Sequence, residues 1–316
     1  MSSTRIVPVF VSGAGCPERC VYCDQRNQTG VVDPPTDADV TSAIESAGRE
    51  GELAFYGGTF TGLPERTQRA LLRPASEAQR EGRLGGIRVS THPRWCSPKQ
   101  LLLLREFSVG LVELGVQSLD DDVLKRCRRG VDSGATLAAF ARVREVGLRL
   151  GVQTMPGLPG ADRDSDKRSA RVLSRTGAEL ARVYPTCVVR GTELEAWWRA
   201  GDYRPLDVPE AVVRSADQVA VFEAAGVRVQ RIGLHVDEHL RRAVLAGPVD
   251  EAFGEKVRSE LAWRRLQARA EGLESGATLR VDVPARELSQ WLGWRRENVL
   301  RFEREFPEID LAVTPV

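Results

Sequence analysis

The sequence has few histidines and few aromatic residues, and it lacks a long apolar run, a secretory signal and a large net charge. The last three absences each argue against one class of protein. No apolar stretch approaches the roughly 18 residues of a membrane helix. The first residues lack the basic start and cleavage site of a secretory signal. The formal net charge is only +1, so net charge alone does not favour binding of a polyanion. We therefore expect a cytoplasmic protein without a membrane span.

The remaining composition is that of an ordinary globular protein. Hydrophobic residues make up 42% of the chain and charged residues 28%, and no low-complexity segment interrupts them. This balance argues against a disordered scaffold. The 316 residues suffice for one large α/β domain with an appendage, or for two domains.

Apolar strand-like runs alternate with amphipathic helical patterns through the first two thirds of the chain. The predicted strands cover residues 6–11, 53–56, 87–91, 111–116, 148–154 and 181–189. The predicted helices cover residues 37–49, 65–80, 98–106, 135–146 and 167–176. Repeated β-then-α order is typical of a parallel sheet with right-handed crossovers. The sequence thus predicts an α/β fold, a partial (β/α)6 barrel, with functional residues where the strands end.

The alternation changes after about Arg190. A helix is predicted at 208–225, a strand at 227–234 and a long helix at 252–271, followed by the strand TLRVDV and the helix ENVLRFEREF. We therefore predict a barrel core at 1–190 and a C-terminal α+β extension at 191–316. The extension is expected to pack on the barrel rather than to add another βα repeat.

Three cysteines, Cys16, Cys20 and Cys23, stand close together directly after the first predicted strand. Cytoplasmic thiols stay reduced, so such a group predicts metal binding or catalysis rather than disulfides. A structural zinc site needs four cysteine or histidine ligands. Three thiolates suit a [4Fe–4S] cluster that keeps one iron open for a small ligand. Zinc with a remote fourth ligand stays an alternative. The other cysteines are expected to be core thiols: Cys96, Cys127 and Cys187.

The stretch CPERCVYC resembles the cluster motif of radical S-adenosylmethionine (radical SAM) enzymes, C-x3-C-x-aromatic-C, with Tyr22 in the aromatic position. Further matching segments follow in order: FYGGTFTGLP (55–64), STHPRWC (90–96), ELGVQSLDDDVL (113–124), RRG (128–130) and MPGLPG (155–160). The set is similar to the Elp3-like group of that superfamily. It is more distantly similar to the oxygen-independent coproporphyrinogen oxidases.

The resemblance implies an enzyme that holds a [4Fe–4S] cluster on Cys16, Cys20 and Cys23. S-adenosylmethionine would bind the open iron and be cleaved reductively to a 5′-deoxyadenosyl radical. A flavodoxin- or ferredoxin-like reductant protein is the implied partner. The first substrate to expect is tRNA or another RNA. A small metabolite is an alternative, as is a non-catalytic relative that only binds a cluster or RNA.

The same resemblance assigns residues to S-adenosylmethionine. Gly57, Gly58 and Thr59 would contact its amino group, because backbone without side chains can approach closely. Gln117 would contact the ribose hydroxyls, and Arg129 would pair with the carboxylate through two parallel hydrogen bonds. The further contact positions implied are Tyr22, at the adenine, and Ser90 and Gln153, at strand ends.

Four points stay open or depart from the Elp3-like pattern. The motif RGH appears here as RGV (129–131), and we find no acetyl-CoA-binding motif, so acetyltransferase chemistry is not expected. Arg129 is alternatively a solvated arginine in the run KRCRRG. His92 is expected to be structural. In LSQWLGWRRENVLRFEREF, Trp291 and Trp294 are expected to pack the helix on the barrel rather than to stack on nucleic acid.

Overall fold

Seven parallel strands form the central sheet in the computed structural model, which describes residues 4–235 and 237–316. The strands of the chain are β1 (Ile6–Phe10), β2 (Glu52–Tyr56), β3 (Gly86–Thr91), β4 (Leu111–Gln117), β5 (Arg149–Thr154), β6 (Leu180–Val183), β7 (Val188–Val189), β8 (Arg228–Ile232), β9 (Val244–Ala246), β10 (Thr278–Val283) and β11 (Asp310–Pro315). The sheet order is β1-β2-β3-β4-β5-β6-β8, with every pair parallel. The predicted α/β partial barrel is confirmed.

Helices alternate with these strands. They are α1 (Gln25–Thr29), α2 (Asp37–Ala47), α3 (Glu65–Arg80), α4 (Pro98–Glu106), α5 (Asp121–Arg126), α6 (Ser133–Glu145), α7 (Arg163–Leu173), α8 (Glu193–Ala200), α9 (Val208–Ala224), α10 (Glu238–Ala243), α11 (Phe253–Ala270), α12 (Leu288–Leu292) and α13 (Glu297–Glu305). Thr36 and Ser97 cap α2 and α4 with capping boxes, which explains where these helices begin. Within the described ranges, none of the helices combines the length and apolarity that a membrane crossing requires.

The structure differs from the prediction at the last two strands of the sheet, β6 and β8. The predicted strand at 181–189 divides into β6 and β7, because Pro185 lies between them and has no N–H for a ladder. β8 then pairs with β6 in parallel, with α9 as the crossover. The expectation that the chain after about Arg190 adds no further βα repeat was wrong. The strand predicted at 227–234 is present as β8, but its alternation of arginines with apolar residues did not indicate that it belongs to the central sheet.

Three hydrophobic clusters stabilise the part of the chain that the structure describes. The main cluster fills the space between the sheet and its helices, for example around Phe55 and Phe140. A second lies under the clustered cysteines, and a third is built around Trp263 in the C-terminal part. Trp291 packs against this third cluster, whereas Trp294 is 37% exposed. Trp291 therefore packs on α11 and β10–β11 rather than on the barrel, while the centroid of the Trp294 ring lies 5.6 Å from Lys256 Nζ of α11.

Candidate functional site

The residues between β1 and α1, which we call the cysteine loop (11–24), carry the three clustered cysteines. Cys20 is buried, Cys16 is partly buried and Cys23 is exposed. All three line a cavity of about 310 Å³ at the carboxyl edge of the sheet. The carboxyl ends of parallel strands are where α/β folds bind ligands.

Glycines hold the cysteine loop against the turn after β2. The Gly13 amide donates to Gly57 O (2.9 Å) and the Thr59 amide donates to Ala14 O (3.1 Å). A Cβ on Gly58 would overlap the carbonyl oxygens of residues 11 and 14. Glycine at 58 is therefore required first by the close approach of two protein segments.

All of the predicted site residues line this one cavity. They are Cys16, Cys20, Tyr22, Cys23, Gly57, Gly58, Thr59, Ser90, Gln117, Arg129 and Gln153. Their convergence from distant parts of the chain is a geometric fact, while their individual roles stay predictions. The cavity also has lining residues that the sequence analysis left without a ligand role: Glu18, Thr91, His92, Glu113, Arg182 and Tyr184. Arg182 and Tyr184 flank the end of β6, so the strand-end rule was a signal for them.

Several polar atoms in the cavity have no protein partner. Gln117 Oε1, Arg129 Nε and Tyr22 Oη are buried without a hydrogen bond in the described part of the chain. A buried polar atom without a partner is costly and rare. Three such atoms in one cavity therefore fit a polar ligand, as the amino-acid and nucleoside parts of S-adenosylmethionine require.

Arg129 is the best-enclosed cation of the site. Its residue is only 6% exposed, so the alternative of a solvated surface arginine is wrong. Nη1 lies 3.5 Å from Cys20 Sγ, and Nη2 donates to Gly115 O. An arginine stays charged at any ordinary pH. It therefore supplies a fixed positive charge beside the thiols and suits an anionic ligand there.

Gln117 has an unusual backbone. Its φ is +71°, and the register of the β4–β5 pair shifts between Gly115 and Gln117. The left-handed region is unfavourable for residues with a Cβ, and such strain clusters at functional sites. The irregularity brings the Gln117 side chain to the cavity instead of continuing the regular alternation of the strand.

Gln117→Gly separates binding from stability. We expect the dissociation constant for S-adenosylmethionine to rise at least about tenfold, because the amide is lost. The free energy of unfolding should stay unchanged or rise by about 1 kcal/mol, because glycine relieves the positive φ. Equilibrium dialysis and urea unfolding measure the two quantities. A variant that binds normally but loses stability would contradict this assignment of Gln117.

A second cavity of about 640 Å³ adjoins the first inside the barrel. Tyr22, Gln117, Gln153 and Arg182 line both. The larger cavity extends between the two edges of the open sheet, and these lining residues come from β1 and β8: Ile6, Pro8, Phe10, Gln230 and Arg231. Cys187 is a buried thiol, as expected, but it lines this cavity as well. The volume of this larger cavity is typical of small-molecule binding sites.

Glu113, to which the sequence assigned no role, is the anchor of a polar network in the barrel. Its carboxylate accepts from Tyr56 Oη (2.5 Å), from Arg88 Nη1 (3.2 Å) and from Arg182 Nη2 (3.3 Å), and it forms an ion pair with Arg182 Nε (2.6 Å). Arg88 also pairs with Glu52. Burial, and then the Glu113 carboxylate, raises the pKa of Tyr56 well above its ordinary value. Tyr56 therefore stays protonated and donates, and the network fixes Arg182 at the junction of the two cavities.

His92 is buried with a defined tautomer. Nδ1 accepts from the Arg94 amide (3.1 Å), which caps the short turn Pro93–Trp95, so Nε2 carries the proton and donates to Arg129 O (3.1 Å). Burial, and then the positive charge of Arg129, lowers the pKa of His92 to about 3. The ring is therefore neutral at physiological pH and unsuited to act as an acid.

This pKa predicts an acid-side loss of stability. Unfolded His92 binds a proton near pH 6.5, whereas the folded ring does so only near pH 3. Between these values the unfolded state holds more protons, so stability falls as the pH falls, by up to about 1.4 kcal/mol per pH unit from this group. Urea unfolding at pH 7, 6 and 5 should show a steeper loss for the wild type than for His92→Gln. Equal pH slopes would count against the buried neutral ring.

No set of three or more His, Cys, Asp or Glu side chains within residues 4–235 and 237–316 is arranged to hold one metal ion. The zinc alternative thus lacks a complete ligand set in this part of the chain. In an iron–sulfur cubane the thiolates bind different irons, so they need not converge on one ion.

Comparison with known proteins agrees with this geometry. The family model of the radical SAM superfamily matches residues 10–173, and that of the radical SAM C-terminal domain matches residues 178–262. A tRNA uridine(34) acetyltransferase of Dehalococcoides mccartyi is 28% identical over 245 residues, which cover 65% of this chain and 53% of that protein. The chain spans about half the length of the first curated relatives it matches.

Two solved structures share the fold. The Elp3 of Methanocaldococcus infernus, with an N-terminal deletion, superposes with a TM-score of 0.68 at 22% identity, covering 85% of this chain and 64% of that one. Coproporphyrinogen III oxidase from Escherichia coli superposes with a TM-score of 0.50 at 17% identity, covering 71% and 53%. Both likenesses expected from the sequence are thereby confirmed. Since the first family model alone matches more than half of its residues, the chain belongs to the radical SAM superfamily, with Elp3-like proteins among its relatives.

Proposed function

We propose that this enzyme cleaves S-adenosylmethionine reductively at a [4Fe–4S] cluster in order to modify an RNA, with tRNA as the first candidate. The observation that carries the proposal is the single cavity in which three thiols meet the unpartnered polar atoms of Gln117, Arg129 and Tyr22. That cavity adjoins a larger one with room for part of a substrate.

The superfamily uses a [4Fe–4S] cluster and S-adenosylmethionine, and the residues present fit both. Cys16, Cys20 and Cys23 would hold the cluster, while Gln117 and Arg129 would orient the adenosylmethionine. When bound, these groups supply a 5′-deoxyadenosyl radical that abstracts a hydrogen atom from the substrate. The protein's own part is to hold and orient the ligands. The apolar cluster under Cys20, with Val21 and Tyr203, keeps water from that side of the site.

Four arginines near the cavities support an RNA substrate. Arg19 and Arg26 flank lining residues of the cofactor cavity, Arg190 follows the lining residue Val189, and Arg231 itself lines the larger cavity. None of the four forms an ion pair within the described ranges, where two nearby carboxylates are already paired with other arginines: Glu18 with Arg94, and Glu193 with Arg128. Unpaired arginines around an opening favour a phosphate backbone, even though the net charge of the chain is near zero.

The names of the relatives support tRNA in particular, since the curated matches include tRNA uridine(34) acetyltransferases. Acetyl transfer is not part of the proposal, because we find no acetyl-CoA-binding motif in these residues. The exposed Cys23 leaves the proposed cluster site open to an electron donor, for which a flavodoxin- or ferredoxin-like protein is suited. A cytoplasmic location would provide that donor, reduced thiols and tRNA together.

An assay for 5′-deoxyadenosine tests the proposal. The chain is reconstituted anaerobically with iron and sulfide and supplied with S-adenosylmethionine and dithionite, alone, with total tRNA or with a pool of small metabolites. We expect tRNA to raise product formation several-fold over the basal rate. Arg26→Glu should reduce that stimulation, because it reverses a charge beside the cavity. The distant, exposed Arg175→Glu is the matched control and should keep it.

The possible results separate the alternatives. Stimulation by the metabolite pool alone would replace RNA with a small substrate. A full cluster with neither S-adenosylmethionine binding nor cleavage would support the non-catalytic relative. Equal loss of stimulation in both arginine variants would mean that the effect is one of general charge rather than of this rim.

A further inference from the structure

Two segments meet beside the cofactor cavity: the cysteine loop and the turn 128–130, which we call the RRG turn. The Val21 amide donates to Cys127 O (3.2 Å), just before the RRG turn, and Arg129 Nη1 lies 3.5 Å from Cys20 Sγ. The two groups that the proposed chemistry must hold together, the thiols and the Arg129 guanidinium, therefore belong to segments distant in sequence. Something must fix these segments to each other.

The end of β3 supplies the first fixing contact. His92 donates from Nε2 to the carbonyl oxygen of Arg129 (3.1 Å), and both residues are buried. The contact acts on the peptide of Arg129 and leaves its side chain free for the cavity. His92 itself follows β3 directly, so it ties the RRG turn to the central sheet.

Glu18 supplies the second contact that fixes the two segments to each other. Its side chain, only 12% exposed, pairs with Arg94 Nη1 (2.8 Å), two residues after His92. The same carboxylate lies against Gly130, where a Cβ would overlap it and where φ is +70°. Glycine at 130 is therefore what allows the cysteine loop to approach the RRG turn this closely.

We propose that His92 and Glu18 are positioning residues that lock the RRG turn against the cysteine loop, so that Arg129 and the three thiols keep one fixed separation. The inference rests on the proposed function, since it concerns how the same site is held. Three contacts join the end of β3, the cysteine loop and the RRG turn to one another. They are His92 with Arg129 O, Arg94 with Glu18, and Arg129 with Cys20 Sγ.

The RRG turn needs this support because its own backbone is unfavourable. Arg128 has a φ of +52°, a conformation that residues with a Cβ rarely adopt. Loss of the His92 donor would leave the buried Arg129 carbonyl without a hydrogen-bond partner among the described residues, which favours rearrangement of the turn. A long arginine side chain transmits any such shift to its guanidinium, and a small misplacement of a binding group is enough to weaken binding strongly.

Two amide variants of His92 separate positioning from mere folding. His92→Gln places its amide nitrogen near the former Nε2 and can still donate to Arg129 O. His92→Asn places its polar atoms near the former Nδ1 and can still cap the turn Pro93–Trp95, but it cannot reach Arg129. Each variant thus keeps one of the two hydrogen bonds seen in the structure.

The readouts are the dissociation constant for S-adenosylmethionine, by equilibrium dialysis, and the electron paramagnetic resonance signal of the reduced cluster with and without it. Iron and sulfide contents are measured in every sample. We expect His92→Asn to weaken binding about tenfold or more and to alter the signal with S-adenosylmethionine, and His92→Gln to stay within about threefold of wild type. Both should retain iron and sulfide.

Glu18 is tested in the same way. Glu18→Gln and Arg94→Met each break the ion pair and should weaken binding about threefold to tenfold, with no greater loss in the double variant, because both act through one contact. The exposed pair of Arg83 with Glu81 gives the matched control, Glu81→Gln, with no expected change.

Opposite behaviour of the amide pair would overturn the inference: if His92→Asn binds like wild type while His92→Gln does not, the histidine is a helix cap and nothing more. Wild-type binding in both variants would overturn it as well. If the reconstituted wild type holds iron but binds no S-adenosylmethionine, the proposed function fails, and this inference falls with it.

Discussion

Cys20→Ser should leave the reconstituted protein without its iron and sulfide and reduce 5′-deoxyadenosine formation at least about 100-fold, to background. Cys20 is the most enclosed of the three clustered thiols and lies beside the buried Arg129. A serine hydroxyl of similar size keeps the packing but is not a thiolate ligand. Iron and sulfide analysis, together with chromatography of the reaction products, measures both losses.

Cys96→Ser is the matched control for this experiment. Cys96 is also buried, but it belongs to the main core and is not among the residues that line the cofactor cavity. Its thiol donates to His92 O, and serine can keep that hydrogen bond. The control should therefore retain iron, sulfide and product. One zinc per chain in the wild type, or a full cluster in Cys20→Ser, would refute the assignment of the three cysteines.

The parallel sheet could be predicted because its central strands are mostly buried and rich in apolar residues, as in β2 and β4. β8 was predicted as a strand at 227–234, but its place in the central sheet was missed for the opposite reason. Arg228 and Arg231 interrupt its apolar residues, since this edge strand faces the larger cavity and solvent. Local pattern also failed at the sixth strand, where only the position of Pro185 indicated the break.

The site was predictable where the motif is local and unpredictable where it depends on contacts between loops. The spacing of the three cysteines is by itself enough to indicate an iron–sulfur cluster. Residues at the ends of parallel strands, such as Ser90 and Gln153, are expected to meet at one edge of the sheet, and they do line the same cavity. The contact of Glu18 with Gly130 has no local signature, because it joins two loops that the sequence separates widely. Likewise only tertiary packing decides that Arg129 is buried while Arg128 is exposed.

The second prediction with a large expected effect follows from this difference between the buried Arg129 and the exposed Arg128. Arg129→Lys should raise the dissociation constant for S-adenosylmethionine roughly 100-fold, while iron and sulfide stay at wild-type levels. The guanidinium contacts Gly115 O and approaches Cys20 Sγ, and its Nε has no hydrogen-bond partner among the described residues. An ammonium is a single point charge that cannot hold the strand end and pair with a carboxylate through two parallel hydrogen bonds.

Arg128→Lys is the matched control, with the same chemical change one residue away. The Arg128 side chain is 59% exposed and pairs with Glu193 (2.6 Å), an ion pair that lysine can replace. Binding of S-adenosylmethionine by this variant should stay within about twofold of wild type, since a surface pair contributes little. If Arg129→Lys binds as tightly as Arg128→Lys, the buried guanidinium serves the fold alone. If it loses iron as well, Arg129 supports the cluster rather than the adenosylmethionine, because only the second role leaves the metal content unchanged.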